Sequence, residues 1–128
     1  MIDYGFTKQL NISFDEAVAT TIYALNKEGF SVLTSIDMKQ KFKEKLGIDF
    51  PRYVIFGACN PEFAHKAVLA EENVGLMLPC NIVVYEKNEN VILSIIRPTV
   101  AMHAISNKEL GDVAEIVEAK LKTVFDSI

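Results

Sequence analysis

Apolar residues recur at two different periods along this chain, and the change from one period to the other predicts its elements. Around residues 30–36 apolar and polar positions alternate, which is the period of a strand. Two shorter apolar runs, 82–85 and 91–96, flank the polar residues 87–90 and predict a hairpin. Two longer segments carry apolar residues at helical spacing. These stripes are Phe14, Val18, Ile22 and Leu25, and then Leu110, Val113, Val117, Leu121, Val124 and Ile128.

Local signals bound the elements of the first half of the chain. Residues 4–10 alternate loosely and predict a first strand. Ser13 and Glu16 have the spacing of a capping box before the first helix, and Gly29 is placed to end it. Asp37 and Gly47 bound a short helix, in which apolar residues recur every fourth position between lysines. We interpret the lysines as its solvated side. They are Lys39, Lys41, Lys43 and Lys45, and the apolar residues are Met38, Phe42 and Leu46.

The second half of the chain is bounded in the same way. A strand is predicted over residues 51–57, where Gly57 indicates a bulge or a close backbone approach. Asn60 is the predicted N-cap of a helix that runs to about Asn73. Ser106 and Glu109 form a second capping box before the C-terminal helix, and residues 99–105 stay unassigned. The predicted fold is therefore α+β, with a mostly antiparallel curved sheet in the order β-α-β-(short α)-β-α-β-β-α.

Composition narrows the class of protein. A chain of 128 residues, half of them hydrophobic, predicts one domain over residues 1–128 that buries its own core. The net charge of -4 disfavours nucleic acid as a partner, because nucleic-acid binders carry a basic surface. The apolar runs are too short to span a membrane, and no secretory signal is visible. We expect a cytoplasmic protein with reduced cysteines and without a membrane partner.

The two cysteines occupy related positions. Cys59 follows a predicted strand and precedes the Asn60 helix start, while Cys80 follows Pro79 and precedes the next strand. If those strands are antiparallel, both thiols lie at one end of the sheet. The helix N-terminus could stabilise a Cys59 thiolate, but cysteines often pack as small buried hydrophobes, and burial is expected above all for Cys80.

The two histidines give only weak signals for a metal site or a catalytic site with the two cysteines. His65 and His103 complete a Cys-Cys-His-His set with the two cysteines, but the spacing is not that of structural zinc sites. A cysteine and a histidine are also compatible with nucleophilic catalysis, although no third orienting group is evident. No glycine-rich phosphate or dinucleotide motif is present. We therefore predict no metal and no cofactor.

Three segments in order carry a resemblance to a known family. They are the Cys59-Asn60-Pro61 turn, the segment from Leu76 to Cys80, and the Arg97-Pro98 strand exit. With these segments, with the Gly29-Phe30 joint and with the long C-terminal helix, nearly the whole chain resembles the bacterial and archaeal domain of unknown function family 302. The resemblance implies a small α+β domain with a TATA-binding-protein-like order and a tendency to dimerise. It implies no activity and no catalytic residues.

Three functions follow as hypotheses. The first is a homodimeric accessory or small-ligand-binding domain, with a site near the Cys59 turn and the Pro79-Cys80 loop that takes a polar or anionic ligand oriented by Asn60. The candidate site residues are Cys59, Asn60, His65, Pro79 and Cys80. The second hypothesis is a thiol-dependent redox or transfer protein that uses Cys59 and Cys80. The third is a structural interaction module. Surplus apolar surface around residues 82–85 and 91–96 predicts the homodimer.

Overall fold

The fold consists of one five-stranded sheet with most helices packed on one face. The computed structural model describes residues 2–128. The strands lie in the order β1-β5-β4-β3-β2, and every neighbouring pair is antiparallel. The elements in chain order are β1 (Gly5–Leu10), α1 (Phe14–Lys27), β2 (Ser31–Asp37), α2 (Met38–Leu46), β3 (Tyr53–Cys59), α3 (Pro61–Ala70), a 3-10 segment (Glu72–Met77), β4 (Cys80–Lys87), β5 (Asn90–Ile96), α4 (Pro98–Ala101) and α5 (Lys108–Asp126). The predicted α+β fold class is confirmed.

Helix α1 begins as its sequence predicts. The Glu16 N–H donates to Ser13 Oγ over 3.1 Å, so the capping box supplies one of the N–H groups that a helix start leaves without a partner. The helix buries Phe14 and Leu25 against the sheet, together with Ala17, Thr21 and Ala24. At its end Gly29 has a φ of 84°, a left-handed conformation that favours glycine.

Helix α5 begins one residue later than the predicted capping box. Asn107, not Ser106, is the N-cap, and its Oδ1 accepts from the Leu110 N–H over 3.1 Å. The same side chain donates through Nδ2 to the Ala70 carbonyl over 2.7 Å, which ties the start of α5 to the end of α3. The predicted box was wrong because this second contact, to a distant part of the chain, favours Asn107.

Helix α3 ends earlier than predicted, at Ala70 and not at about Asn73. Glu71 is extended, and the 3-10 segment then turns Val74 inward, where it is fully buried. Val74 packs in a second small core with Met102. The shortened helix therefore brings the 3-10 segment beside the chain that follows β5.

The two faces of the sheet have different surroundings. Side chains that face α1 and α5 form the core, among them Phe56, Ile82, Val84, Leu93 and Ile95. Strand alternation turns the intervening side chains to the other face, which we call the open face. The open face is made by Thr7, Tyr53, Ile55, Val83, Tyr85, Ile92 and Ser94. None of these side chains carries a charge, and Lys87, at the end of β4, is turned to the same side by alternation.

Helix α2 is the lysine-rich helix that the sequence predicts. Asp37 caps its start by accepting from the Gln40 N–H, and Gly47 ends it with a φ of 67°. It buries no residue fully, and its lysines are exposed. The Phe42 ring meets the Phe50 ring edge to face at 4.9 Å, which attaches α2 beside the open face.

Gly57 marks a close approach of neighbouring strands, one of the two roles that the sequence suggests for it. A Cβ at this position would overlap Thr34 Oγ1 and would lie 2.5 Å from Pro79 Cγ. The bulge itself is in β2, where the register shifts between Val32 and Thr34. Strand β3 starts at Tyr53 and not at Pro51. Over residues 2–128, no helix is long and apolar enough to cross a membrane.

Candidate functional site

The structure brings both cysteines to the same end of the sheet. Strands β3 and β4 are antiparallel, and Ala58 lies directly opposite Cys80, so Cys59 is its diagonal neighbour. Cys80 is 7% exposed and belongs to the core with Ile82. Cys59 follows Ala58 at the end of β3, so it lies close to Cys80. Both cysteines are free.

Burial makes both thiols weaker acids. It raises the pKa of Cys80 from 9.0 to about 11, and the nearby Cys59 adds to that rise. Burial also raises the pKa of Cys59, which disfavours the alternative in which the helix start stabilises its thiolate. The cause is loss of solvation, which penalises the charged form. The raised pKa values disfavour the thiolate form that the redox or transfer hypothesis requires.

Asn60 serves a structural contact. It is the N-cap residue of α3, but its side chain makes no capping hydrogen bond. Its Nδ2 donates to the Glu28 carbonyl over 3.4 Å, which links the start of α3 to the end of α1. A Cβ on Gly29 would lie 3.2 Å from this Nδ2, so the small residue at position 29 makes room for the link. The amide expected to orient a ligand is therefore held by the protein itself.

A small apolar cavity lies between α3, α5 and the ends of β3 and β4. Its volume is about 30 Å³. The two helices supply Ala64, Ala67 and Ala114, whose short side chains leave this space open. Cys59, Asn60 and Cys80 also line it, so three of the predicted site residues lie around one cavity.

A wider groove lies next to this cavity, between the 3-10 segment and α4. Its volume is about 180 Å³, and Met77, Pro79, Asn81 and Ala101 are among its lining residues. The groove and the cavity share part of their lining, which we call the common wall. The common wall consists of Leu78, Cys80, Pro98 and Met102. The predicted site near Cys59 and the Pro79-Cys80 loop thus corresponds to two adjoining concavities.

Helix α4 forms one side of the groove and lies in the segment that the sequence left unassigned. Three hydrogen bonds to one carboxylate of α5 hold it in place. The Glu118 carboxylate accepts from the Thr99 N–H over 3.0 Å and from Thr99 Oγ1 over 2.6 Å, and Arg97 Nε donates to its other oxygen over 3.2 Å. The available sequence signal was Pro98, a proline at the first position of a helix after a strand end. Glu118 itself carried no such signal.

The histidines lie apart from this site. His65 is exposed on α3 and does not line the cavity, and His103 is exposed beyond α4, in a surface depression next to Glu115. Within residues 2–128, no cluster of three or more His, Cys, Asp or Glu residues is placed to hold a metal ion. The structure does not bring together the Cys-Cys-His-His set that could be written from the sequence.

Comparisons with known proteins cover the whole site. A family model described as domain of unknown function DUF302 matches residues 6–128. The chain is similar to a solved crystal structure of an uncharacterized conserved protein DUF302 from Bacillus stearothermophilus, with 29% sequence identity, a TM-score of 0.90 and 97% of each chain covered. A comparison with curated proteins found no match. Neither description names a ligand, an activity or a partner.

Proposed function

Because this chain belongs to the DUF302 family, whose description assigns no activity, we propose its function from geometry: it binds a small molecule in the groove between the 3-10 segment and α4. The observation that carries this proposal is the common wall. A solvent-facing groove and an apolar cavity meet at only a few side chains, so a ligand that moves this wall gains contact with both. Binding sites often combine apolar walls with a few polar groups in this way.

The surroundings of the groove support binding more than catalysis. No charged side chain is among the residues that line it, and the two thiols nearby have raised pKa values. General acid-base or thiolate chemistry needs groups whose pKa lies near the operating pH. The groove provides apolar surface and the Asn81 amide. These suit recognition of a ligand.

A thermal-shift screen of small molecules tests this proposal, because a ligand raises the melting temperature of the folded state that it binds. Ala101→Trp is designed to fill the groove, and Ala119→Trp is the matched control on an exposed position of α5. We expect compounds that stabilise the natural protein to lose their effect on Ala101→Trp and to keep it on Ala119→Trp. If the same compounds stabilise all three proteins equally, they bind elsewhere and the proposal is wrong.

We further propose that the protein is a homodimer whose two copies meet through their open faces. The centre of the open face has no charged side chain and carries Tyr53 and Tyr85, whose stacked rings lie 5.3 Å apart. Interface centres are depleted in charge and enriched in tyrosine. The open face also has broader depressions of about 410 Å³ beside Tyr85 and about 320 Å³ beside Phe42. We assign these to the second copy, because they lie along the uncharged sheet surface that a partner would cover.

The remaining partners and the compartment are proposals of the same kind. The net charge of -4 supports a protein that binds neither nucleic acid nor an anionic membrane surface. Two free cysteines, one of them buried, support a reducing compartment such as the cytoplasm. The proposed partners are thus a second copy of the chain and one small molecule.

A further inference from the structure

The cavity behind the common wall is suited to an apolar group and poorly suited to water. A water molecule needs roughly 10 to 15 Å³ of space by this measure and two to four polar partners. The space of about 30 Å³ is sufficient, but almost all of its surface is apolar. The Asn60 amide is the polar side-chain group of the lining, and its Nδ2 already donates to the Glu28 carbonyl. A hydrocarbon group placed there would displace little or no bound water.

The common wall contains a side chain that can give way. Met102 is 8% exposed and lines both the groove and the cavity, so its side chain lies between them. Methionine is unbranched and has three rotatable bonds, which lets it adapt to a neighbouring group at small cost. A change of its rotamer is the simplest way to join the two spaces. The neighbouring Pro98 is rigid and buried, so it would hold the rest of the wall in place.

The groove provides a different environment for the other end of a ligand. Its lining includes the exposed Asn81, whose amide can donate and accept hydrogen bonds, and it includes no charged side chain. An ionised group placed there would lose water without gaining a counter-charge, whereas a hydroxyl or amide group would lose less. The groove therefore selects a neutral polar head. Of the polar or anionic ligands expected from the sequence, this favours the neutral polar ones.

We propose that the ligand is a neutral, short-chain amphiphile that inserts an aliphatic tail past Met102 into the cavity and keeps a hydroxyl or amide head in the groove near Asn81. This inference rests on the proposed function, since it names the ligand class of the same groove. The cavity admits only a short tail, because the helices that line it are closely packed through alanines. A minimal ligand of this kind has few atoms and binds with a Kd in roughly the millimolar range.

The test uses methionine-methyl NMR of the full chain with n-butanol, n-butyrate and glycerol as probes. We expect n-butanol to shift the Met77 and Met102 signals in a saturable way and to leave Met38, on α2, unchanged. Burial of about two methylene groups corresponds to about a tenfold change in Kd. The anion n-butyrate and the tail-less glycerol should therefore bind at least about tenfold more weakly than n-butanol.

Substitutions that fill the cavity test whether the ligand tail enters it. Ala114→Leu fills the cavity and should weaken n-butanol binding about tenfold. Ala119→Leu, on the exposed side of the same helix, should leave binding unchanged. Should Ala114→Leu fail to fold, Ala64→Leu provides a second test, because Ala64 is only half-buried and lines the same cavity.

The outcomes distinguish this inference from the proposed function. Equal binding of n-butanol to the natural protein and to the cavity-filled variants would overturn the inserted tail, and equal binding of n-butyrate would overturn the neutral head. In both cases the groove stays a binding site if Ala101→Trp abolishes the Met77 shift. If n-butanol shifts neither Met77 nor Met102 while the compounds of the thermal-shift screen still depend on Ala101, only this inference fails.

Discussion

The buried thiol of Cys80 illustrates how position sets chemistry at the scale of one residue. Cys80 begins β4, and its side chain packs with Ile82 and Val84 under the helices. Removing water from a thiol penalises the thiolate, so the pKa rises to about 11. Cys80 is therefore an inert core residue at neutral pH, and its neighbourhood matters more for packing than for reaction.

This shift has a consequence for stability at high pH. A group whose pKa is higher in the folded state than in the unfolded state contributes stability below its unfolded pKa and loses it as the pH rises through the folded pKa. For Cys80 the loss falls between pH 9.0 and about 11 and amounts to about 3 kcal/mol. Urea unfolding across this range should show the stability advantage of the natural protein over Cys80→Ala shrinking by that amount. Parallel pH curves for the two proteins would contradict the burial argument.

A second prediction at this scale concerns Gly57. Gly57→Ala adds a Cβ that overlaps Thr34 Oγ1 and crowds the Pro79 ring, so we expect it to destabilise the fold by about 1 to 3 kcal/mol. Gly111→Ala is the matched control, since an added Cβ on this exposed position of α5 meets nothing within 4 Å. The control should stabilise the protein by about 0.5 to 1 kcal/mol. Denaturant unfolding measures both changes, and equal effects would show that Gly57 is not crowded.

At the scale of elements, the groove depends on one short helix. Helix α4 has four residues and cannot hold its conformation alone, because isolated short helices are unstable in water. Its support is Glu118, whose side chain is 15% exposed and accepts from both Thr99 and Arg97. The geometry of the groove is therefore set from α5.

Removing the charge of Glu118 should destabilise α4. Glu118→Gln weakens the charge-assisted hydrogen bonds to Thr99 and Arg97, and we expect a loss of about 1 to 3 kcal/mol in unfolding free energy. Amide hydrogen exchange should accelerate at Ala101 and Met102, whose N–H groups bond within α4. Glu115→Gln, exposed on the same helix, should change neither measurement. Slow exchange in Glu118→Gln would mean that α4 holds without this contact.

The same elements show what the sequence can and cannot predict. Helix α1 was predicted correctly because its cap and its apolar stripe are local to the chain. The start of α5 was misplaced by one residue because Asn107 is chosen by a contact with Ala70, which no local pattern records. Helix α4 is too short to show a period, and its support is 19 residues away along the chain.

The candidate site likewise has features that the sequence predicted and features that required the structure. Strand order alone predicted that Cys59 and Cys80 would share one end of the sheet, and the register confirms this placement. The burial of Cys80 was also expected, because an apolar strand follows it. The raised pKa of Cys59 and the residue that lies opposite Cys80 in the sheet required the structure. The common wall depends on four residues from separate segments, so it too required the structure.

At the scale of the whole molecule, the helices cover one face of the sheet, whereas the open face is available to the proposed second copy. Helices α1 and α5 pack against the central strands, whereas α2 contacts mainly β3. Tyr4 is 55% exposed beside the open face, and Tyr53 and Tyr85 are half-buried on it. A sheet surface with an uncharged, aromatic centre is costly to leave in water and is well suited to a second copy.

The proposed homodimer can be tested by its mass in solution and by a substitution that should disrupt it. Light scattering coupled to size exclusion should give twice the monomer mass of 14.3 kDa. Val83→Lys places an unpaired charge at the centre of the open face and should yield monomers, because a desolvated charge opposite an apolar surface is unfavourable. Ile116→Lys, on an exposed position of α5, should remain dimeric. A natural protein of monomer mass at all concentrations would refute this assembly.

A crystal structure of the protein with the most stabilising compound from the thermal-shift screen would show whether the groove between the 3-10 segment and α4 binds a small molecule. We expect electron density for that compound in the groove beside Asn81 and Ala101, with the Met102 side chain moved from its present position. Density on the open face beside Tyr53 and Tyr85, with the groove unchanged, would show that the groove is not the binding site.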